Sequence, residues 1–111
     1  MSSIHILFPT PVYQSVLDFR PSEVKFMLDY MRDCDWAPDT DIVNRPNGET
    51  TKLEADILSK PELLLLENKI DAEVHKFAKS LQLDLSKHGL KRINSWGNLQ
   101  RKGNYIAEHR H

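Results

Sequence analysis

Ile93-Asn94-Ser95-Trp96-Gly97-Asn98-Leu99-Gln100, then Arg101-Lys102-Gly103-Asn104, then Tyr105-Ile106-Ala107-Glu108-His109-Arg110-His111: the reading of this stretch decides the fold. The first run predicts a strand and the second a turn. The third predicts a strand returning along the first. In an extended chain, residues two apart point to the same side. Tyr105, Ala107, His109 and His111 then share one face, and Ile106, Glu108 and Arg110 the other. Asn94, Trp96, Asn98 and Gln100 share a face of the first strand if it is regular. Two imidazoles from one strand can meet one metal ion, whereas a helix would need i, i+4 spacing. Taken on the residues alone, a closing pair of histidines is more often a solvated chain end than a ligand pair.

Upstream, the texture is helical. Val24, Met27, Leu28 and Met31 fall at i, i+3, i+4 and i+7, which predicts a helix over Pro21 to Cys34 with one apolar stripe. Pro21 suits the first turn, and Glu23 complements the positive end of the helix dipole. The stripe reads as core packing. A second helix is predicted from Ser59-Lys60-Pro61-Glu62, read as a capping box. It continues through Leu63, Leu66, Ile70, Val74, Phe77, Ala78 and Leu81. Leu81, Leu83 and Leu85 alternate beyond it, so its end is open, with Gly89 as a natural stop. His75 reads as a surface or packing histidine, and His88 as a cap on a short helical turn.

The opening carries Ile4, Leu7, Phe8, Val12 and Tyr13 around Pro9 and Pro11. It predicts two short strands or extended pieces, near 3–8 and 12–18. Residues 35–52 are loop-like, with Asn47-Gly48 as a candidate hairpin tip. The acidic residues of this loop do not have the spacing of a calcium loop.

The chain has 111 residues, 40% hydrophobic and 28% charged, which are ordinary globular values for one domain or a piece of one. Fifteen basic against sixteen acidic residues leave a net charge of −1, with no overall field to gather nucleic acid or an anionic membrane. Lys91, Arg92, Arg101, Lys102 and Arg110 make the C-terminal stretch locally basic. They read either as a solvated surface or as a receiver for an anionic substrate or cosubstrate. A single cysteine, Cys34, excludes an internal disulfide and suits a reducing compartment. Asp33 and Asp35 beside it disfavour a thiolate, so Cys34 reads as packing rather than nucleophile. The start carries no secretory signal pattern, and the longest apolar run, Leu63 to Leu66, is far short of a membrane span. A cytoplasmic setting is expected.

The run from Ser95 to Tyr105, followed by His109-Arg110-His111, resembles a family of 2-oxoglutarate/Fe(II)-dependent oxygenases frequent in phages and marine bacteria. Members show a Ser-Trp strand, an Asn, a Gly-aromatic turn and a His-x-His element at about this spacing. His5-Ile6-Leu7-Phe8-Pro9-Thr10-Pro11-Val12-Tyr13 resembles the N-terminal signature of the same family. The two motifs together span nearly the whole chain.

The resemblance implies an α+β chain in which two helices pack on a few antiparallel strands, the start of a double-stranded β-helix (jelly-roll). Residues 1–92 would form an extended segment plus helical region, and 93–111 the first jelly-roll strands. It implies Fe(II), with 2-oxoglutarate and O₂ consumed and succinate and CO₂ released beside a hydroxylated substrate. His109 is the implied first iron ligand. His111 falls where a carboxylate usually sits, as a second ligand or a group behind the ligands. Asn98 and Tyr105 are the implied cofactor-binding residues. Trp96 is the implied substrate-pocket residue, with plain core packing as the equal alternative. The resemblance further implies later strands, a distal histidine and a basic partner for 2-oxoglutarate, so the 111 residues are expected to be the N-terminal portion and inactive alone.

Two other readings remain open. One is a small viral or bacterial binding or structural module derived from that family, without enzymatic activity. The other is a zinc site shared between two chains of a homodimer through His109 and His111.

Overall fold

The computed structural model describes residues 2, 9–38, 48–51, 56–87 and 89–104. The predicted strand at 3–8, His88 and the returning strand 105–111 lie outside them. Two helices and a small three-stranded antiparallel sheet make the chain α+β, as expected.

Helix α1 spans Pro21–Arg32. Proline at N1 presets the helical φ, and Glu23 does more than meet the dipole. Its carboxylate accepts the Arg20 backbone N–H at 2.8 Å. The helix stops short of Cys34. Asp33 and Cys34 turn their N–H groups back to the last-turn carbonyls, and the Trp36 indole Nε1–H donates to the Met31 carbonyl at 2.8 Å. Cys34 is half-buried and its thiol donates to the Tyr30 carbonyl, in keeping with a packing role.

Helix α2 spans Leu64–Ser80 and is preceded by two 3-10 turns, Ile57–Ser59 and Pro61–Leu63. The capping box predicted at Ser59–Glu62 does not form. The residue before a proline is driven out of the helical region, and Lys60 is extended at φ −69°, ψ 137°. Ser59 therefore cannot begin the helix, and its hydroxyl donates to the Asp56 carbonyl instead, at 2.7 Å. On the far side, His75 is exposed and its Nδ1 bonds the Asp71 carbonyl, as a surface histidine would.

The end of α2 also departs from expectation. Gly89 has no part in it. Gln82 takes the left-handed conformation at φ 58°, the Gln82 N–H reaches the Lys79 carbonyl, and the Leu83 N–H reaches the Ala78 carbonyl. This pair of bonds is a Schellman motif with glutamine where glycine is usual. The satisfied carbonyls outweigh the steric cost of a Cβ in that conformation.

Strands β1 (Ala37–Pro38), β2 (Glu49–Thr50) and β3 (Asn98–Leu99) lie in the order β1-β2-β3, every pair antiparallel. Ala37 faces Thr50 and Pro38 faces Glu49. Residues 35–52 thus hold a hairpin, but a wide one. Asn47 of the candidate tip Asn47-Gly48 lies outside the described residues. Among the described residues β1 is an edge strand, a position that tolerates Pro38. The strand expected over Ile93–Gln100 shrinks to Asn98–Leu99, since residues 92–97 spend their polar groups on side chains and 3-10 turns. The predicted turn does form. The Asn104 N–H reaches the Arg101 carbonyl, the Asn104 amide oxygen accepts the Arg101 N–H, and Gly103 sits at φ +91°, where a side chain would be strained.

Residues 12–18 are not a strand within the sheet. They run irregularly along α2, where the Tyr13 ring stacks on Phe77 at 5.2 Å and the Tyr13 hydroxyl donates to the Glu73 carboxylate. That bond holds the Glu73 carboxyl below its ordinary pKa and raises the Tyr13 phenol. Val12 and Val16 point to solvent at 86% and 93% exposure, so this segment contributes little apolar burial.

Among the described residues the buried apolar side chains are Ile57, Leu63 and Ala78, with Thr50 and Thr51 buried beside them. Leu63 is the anchor. Its near-complete burial is worth about 2 kcal/mol. Phe26, Leu28 and Leu64 remain at least half exposed.

Gln82→Gly should raise stability by about 0.5–1 kcal/mol, as relief of the left-handed strain exceeds the added unfolded-state entropy. An upward shift of the urea midpoint with unchanged slope is the expected reading; a downward shift would mean that the Gln82 side chain itself holds the helix end.

Candidate functional site

The segment carrying Trp96 is fastened by a cluster of charges absent from the sequence-based expectation. Arg92 presents its guanidinium edge-on to Asp56, with Nε at 2.6 Å from Oδ1 and Nη2 at 2.9 Å from Oδ2. The same Nη2 reaches Glu67 on α2 at 3.0 Å. Ser95 donates its hydroxyl to Asp56 at 2.6 Å and accepts the Leu58 backbone N–H at 2.9 Å. The Asn94 side-chain oxygen accepts the Asp56 N–H. Two-point guanidinium–carboxylate pairing is among the strongest and most directional of polar contacts.

Arg92 and the Ser95 hydroxyl pull the Asp56 pKa from 3.8 to about 2, and the paired carboxylates push the Arg92 pKa further up. Asp56 itself stands at φ 52°, a left-handed residue just before the first 3-10 turn. Short polar side chains tolerate this conformation when they are bonded locally.

One step along, Gly97 is locked to Thr51. Its N–H donates to Thr51 Oγ1 at 2.7 Å, and its carbonyl accepts the Thr51 N–H and the Thr50 hydroxyl. A Cβ here would lie 2.8 Å from the Met31 methyl and 3.1 Å from the Trp36 ring. Gly97 is therefore a close-approach position between two side chains of the α1 end.

Among the described residues, two cavities are lined by residues 95–101. The first, about 440 Å³, has Met27 and Met31 of α1 on one side, Leu66 and Ile70 of α2 on another, and Trp96 on a third. The apolar stripe of α1 thus lines an open apolar gap; none of its residues is buried. Trp96 is half-buried on that wall, a position compatible with both the packing and the pocket reading. The second cavity, about 530 Å³, is walled by Trp36, Leu28, Met31 and Leu99, with Arg32, Glu49, Asn98 and Arg101 at its polar side. Asn98 is exposed there. Trp96 and Asn98 line different cavities, because the chain is not in a regular ladder before Asn98.

Tyr105, His109 and His111 lie outside the described residues. Among the described residues no group of three His, Cys, Asp or Glu side chains is placed to hold a metal ion. Of the basic C-terminal residues, Arg92 is held by Asp56 and Glu67, and Arg101 pairs with Glu49. Neither therefore offers a whole guanidinium to an anion. Among the described residues no helix is long and apolar enough to cross a membrane.

The Asp56 carboxylate is held below its ordinary pKa, so its contribution to stability is full above about pH 4 and is lost as pH falls towards 2. Arg92→Met should flatten the acid-unfolding curve in that window while lowering stability at neutral pH. Unfolding curves followed by far-ultraviolet circular dichroism decide it, and parallel curves for both proteins would remove the Asp56–Arg92 pair from the account.

Comparison of the chain with family models, with curated proteins and with solved structures returned no match.

Proposed function

We propose that the chain is the N-terminal portion of an Fe(II)/2-oxoglutarate-dependent oxygenase that hydroxylates an as yet undefined substrate, with His109 and His111 offering imidazoles to the metal. The observation that carries the reading is the order Ser95-Trp96, Asn98, Gly103, His109-x-His111 in a segment whose first half runs from a cavity wall into β3. The Arg101–Asn104 turn then reverses the chain directly after β3. Iron(II) with 2-oxoglutarate would supply the oxidising power. Asn98 and Tyr105 would orient bound groups, and Trp96 would wall the substrate space. Exposed Leu28, beside Trp36 and Leu99 at the sheet edge, supports further chain packing over this region. A jelly-roll supplies further strands in two sheets. A cytoplasmic setting, of a bacterium or of an infected cell, goes with this reading.

The second reading, a non-enzymatic module derived from the same family, is favoured by the first cavity. Its walls are Val, Leu, Ile, Met and Trp, with only Ser95 and Gly97 otherwise. Such a lining suits apolar contact and offers no acid or base for chemistry.

Anaerobic calorimetry with Fe(II), with and without 2-oxoglutarate, tests the first reading. The chain should bind Fe(II) weakly and more tightly with 2-oxoglutarate present. His109→Ala and His111→Ala should each weaken binding on the order of tenfold or more, with an unchanged thermal midpoint. Equal affinity in the double variant would sink the oxygenase reading and leave the module.

A further inference from the structure

The second cavity differs from the first in kind. Its floor is apolar, made by Leu28, Met31 and Leu99 with the Trp36 ring. The ring is fixed, because its Nε1–H is committed to the Met31 carbonyl at 2.8 Å. The polar side carries two guanidinium groups, Arg32 and Arg101, against one carboxylate, Glu49, with the Asn98 amide beside them. Among the described residues the lining is therefore one positive charge in excess.

Both guanidinium groups keep donors to give. Among the described residues Arg101 bonds Glu49 through Nη1. A guanidinium has five N–H donors in a planar fork, so its remaining edge can still take a carboxylate. Arg32 is held loosely. Its Nη1 lies 3.6 Å from Asp29, and its side chain is 75% exposed. Asp29 is itself engaged by Lys25 at 2.6 Å, which lowers its hold on Arg32. Two carbonyls of the last α1 turn that would repel an anion are bonded: Tyr30 accepts the Asp33 N–H, and Met31 accepts the Cys34 N–H and the Trp36 indole.

We propose that this cavity is a binding site for a small monocarboxylate with an apolar body. The carboxylate lies between Arg32 and Arg101 with Asn98 as a further donor, and the hydrocarbon lies on Trp36 and Leu99. About 530 Å³ is within the range that takes one small organic molecule. The aromatic floor selects an apolar body, and the single excess charge selects one carboxylate over two. No described lining residue is one of the expected iron ligands, so the proposal is tested separately from the oxygenase reading.

The test is calorimetric titration of the full chain with hexanoate, hexanol and 2-oxoglutarate, alongside Arg32→Gln, Arg101→Gln and His109→Ala. Hexanoate should bind saturably and quench tryptophan fluorescence. Hexanol, with the same body and no charge, should bind about tenfold more weakly, the loss expected for a charge-assisted contact at a part-exposed rim. Each arginine variant should weaken hexanoate by a similar factor at an unchanged thermal midpoint, and His109→Ala should leave it unchanged. Absence of saturable hexanoate binding, equal binding of hexanol, indifference to both arginine variants, or preference for 2-oxoglutarate would each overturn the proposal.

Discussion

The Arg92 guanidinium holds together parts of the chain that share little else. It grips Asp56 at two points and Glu67 at a third, joining the segment before β3 to the first 3-10 turn and to α2. Ser95 doubles the attachment by bonding Asp56 and the Leu58 N–H at once. With residues 92–95 fixed there, Gly97 meets Thr51, and the register of β2 against β3 follows, Glu49 opposite Leu99 and Thr50 opposite Asn98. Among the described residues the buried apolar side chains are Ile57, Leu63 and Ala78, and polar bonding ties the loops between the helices and the sheet.

Among the described residues α1 meets its neighbours at the turn Pro61–Leu63 and, through Trp36, at its C-terminal end. Its stripe stays open towards Trp96. The same end of α1 sets the Trp36 ring against Gly97 and so forms the floor of the second cavity. The two tryptophans thus serve different spaces on either side of one glycine. One space is apolar apart from Ser95, and the other carries charge at its rim.

For a binding module, the charged cavity is where selectivity would reside, since an apolar gap distinguishes guests only by size and shape. The oxygenase and module readings both depend on the clasp at Arg92, because it sets the position of Trp96 and the start of β3.

Much of the local structure was legible in the residues. The helix over Pro21–Arg32, the long second helix and the glycine turn at 101–104 each follow from short-range rules: periodicity, proline at a first turn, and the freedom of glycine at positive φ. The α+β class, expected from the family resemblance, matches two helices and a small antiparallel sheet. The sites did not follow from short-range rules. Arg92 and Asp56 are 36 positions apart and Gly97 and Thr51 are 46 apart, and no local pattern marks such partners. Arg92 read as one of several surface cations, and Trp36 carried no signal at all. Gln82 at the helix end and Lys60 before the second 3-10 turn mark the boundary between the two levels. Each residue's local preference was visible, but long-range contacts and competing hydrogen bonds decided which preference was honoured. The sequence by itself determined which segments coil and where the chain turns, because those choices rest on neighbours a few residues away. Only the tertiary structure decided which charges pair and which aromatic ring walls which cavity, because those depend on groups brought together across the fold.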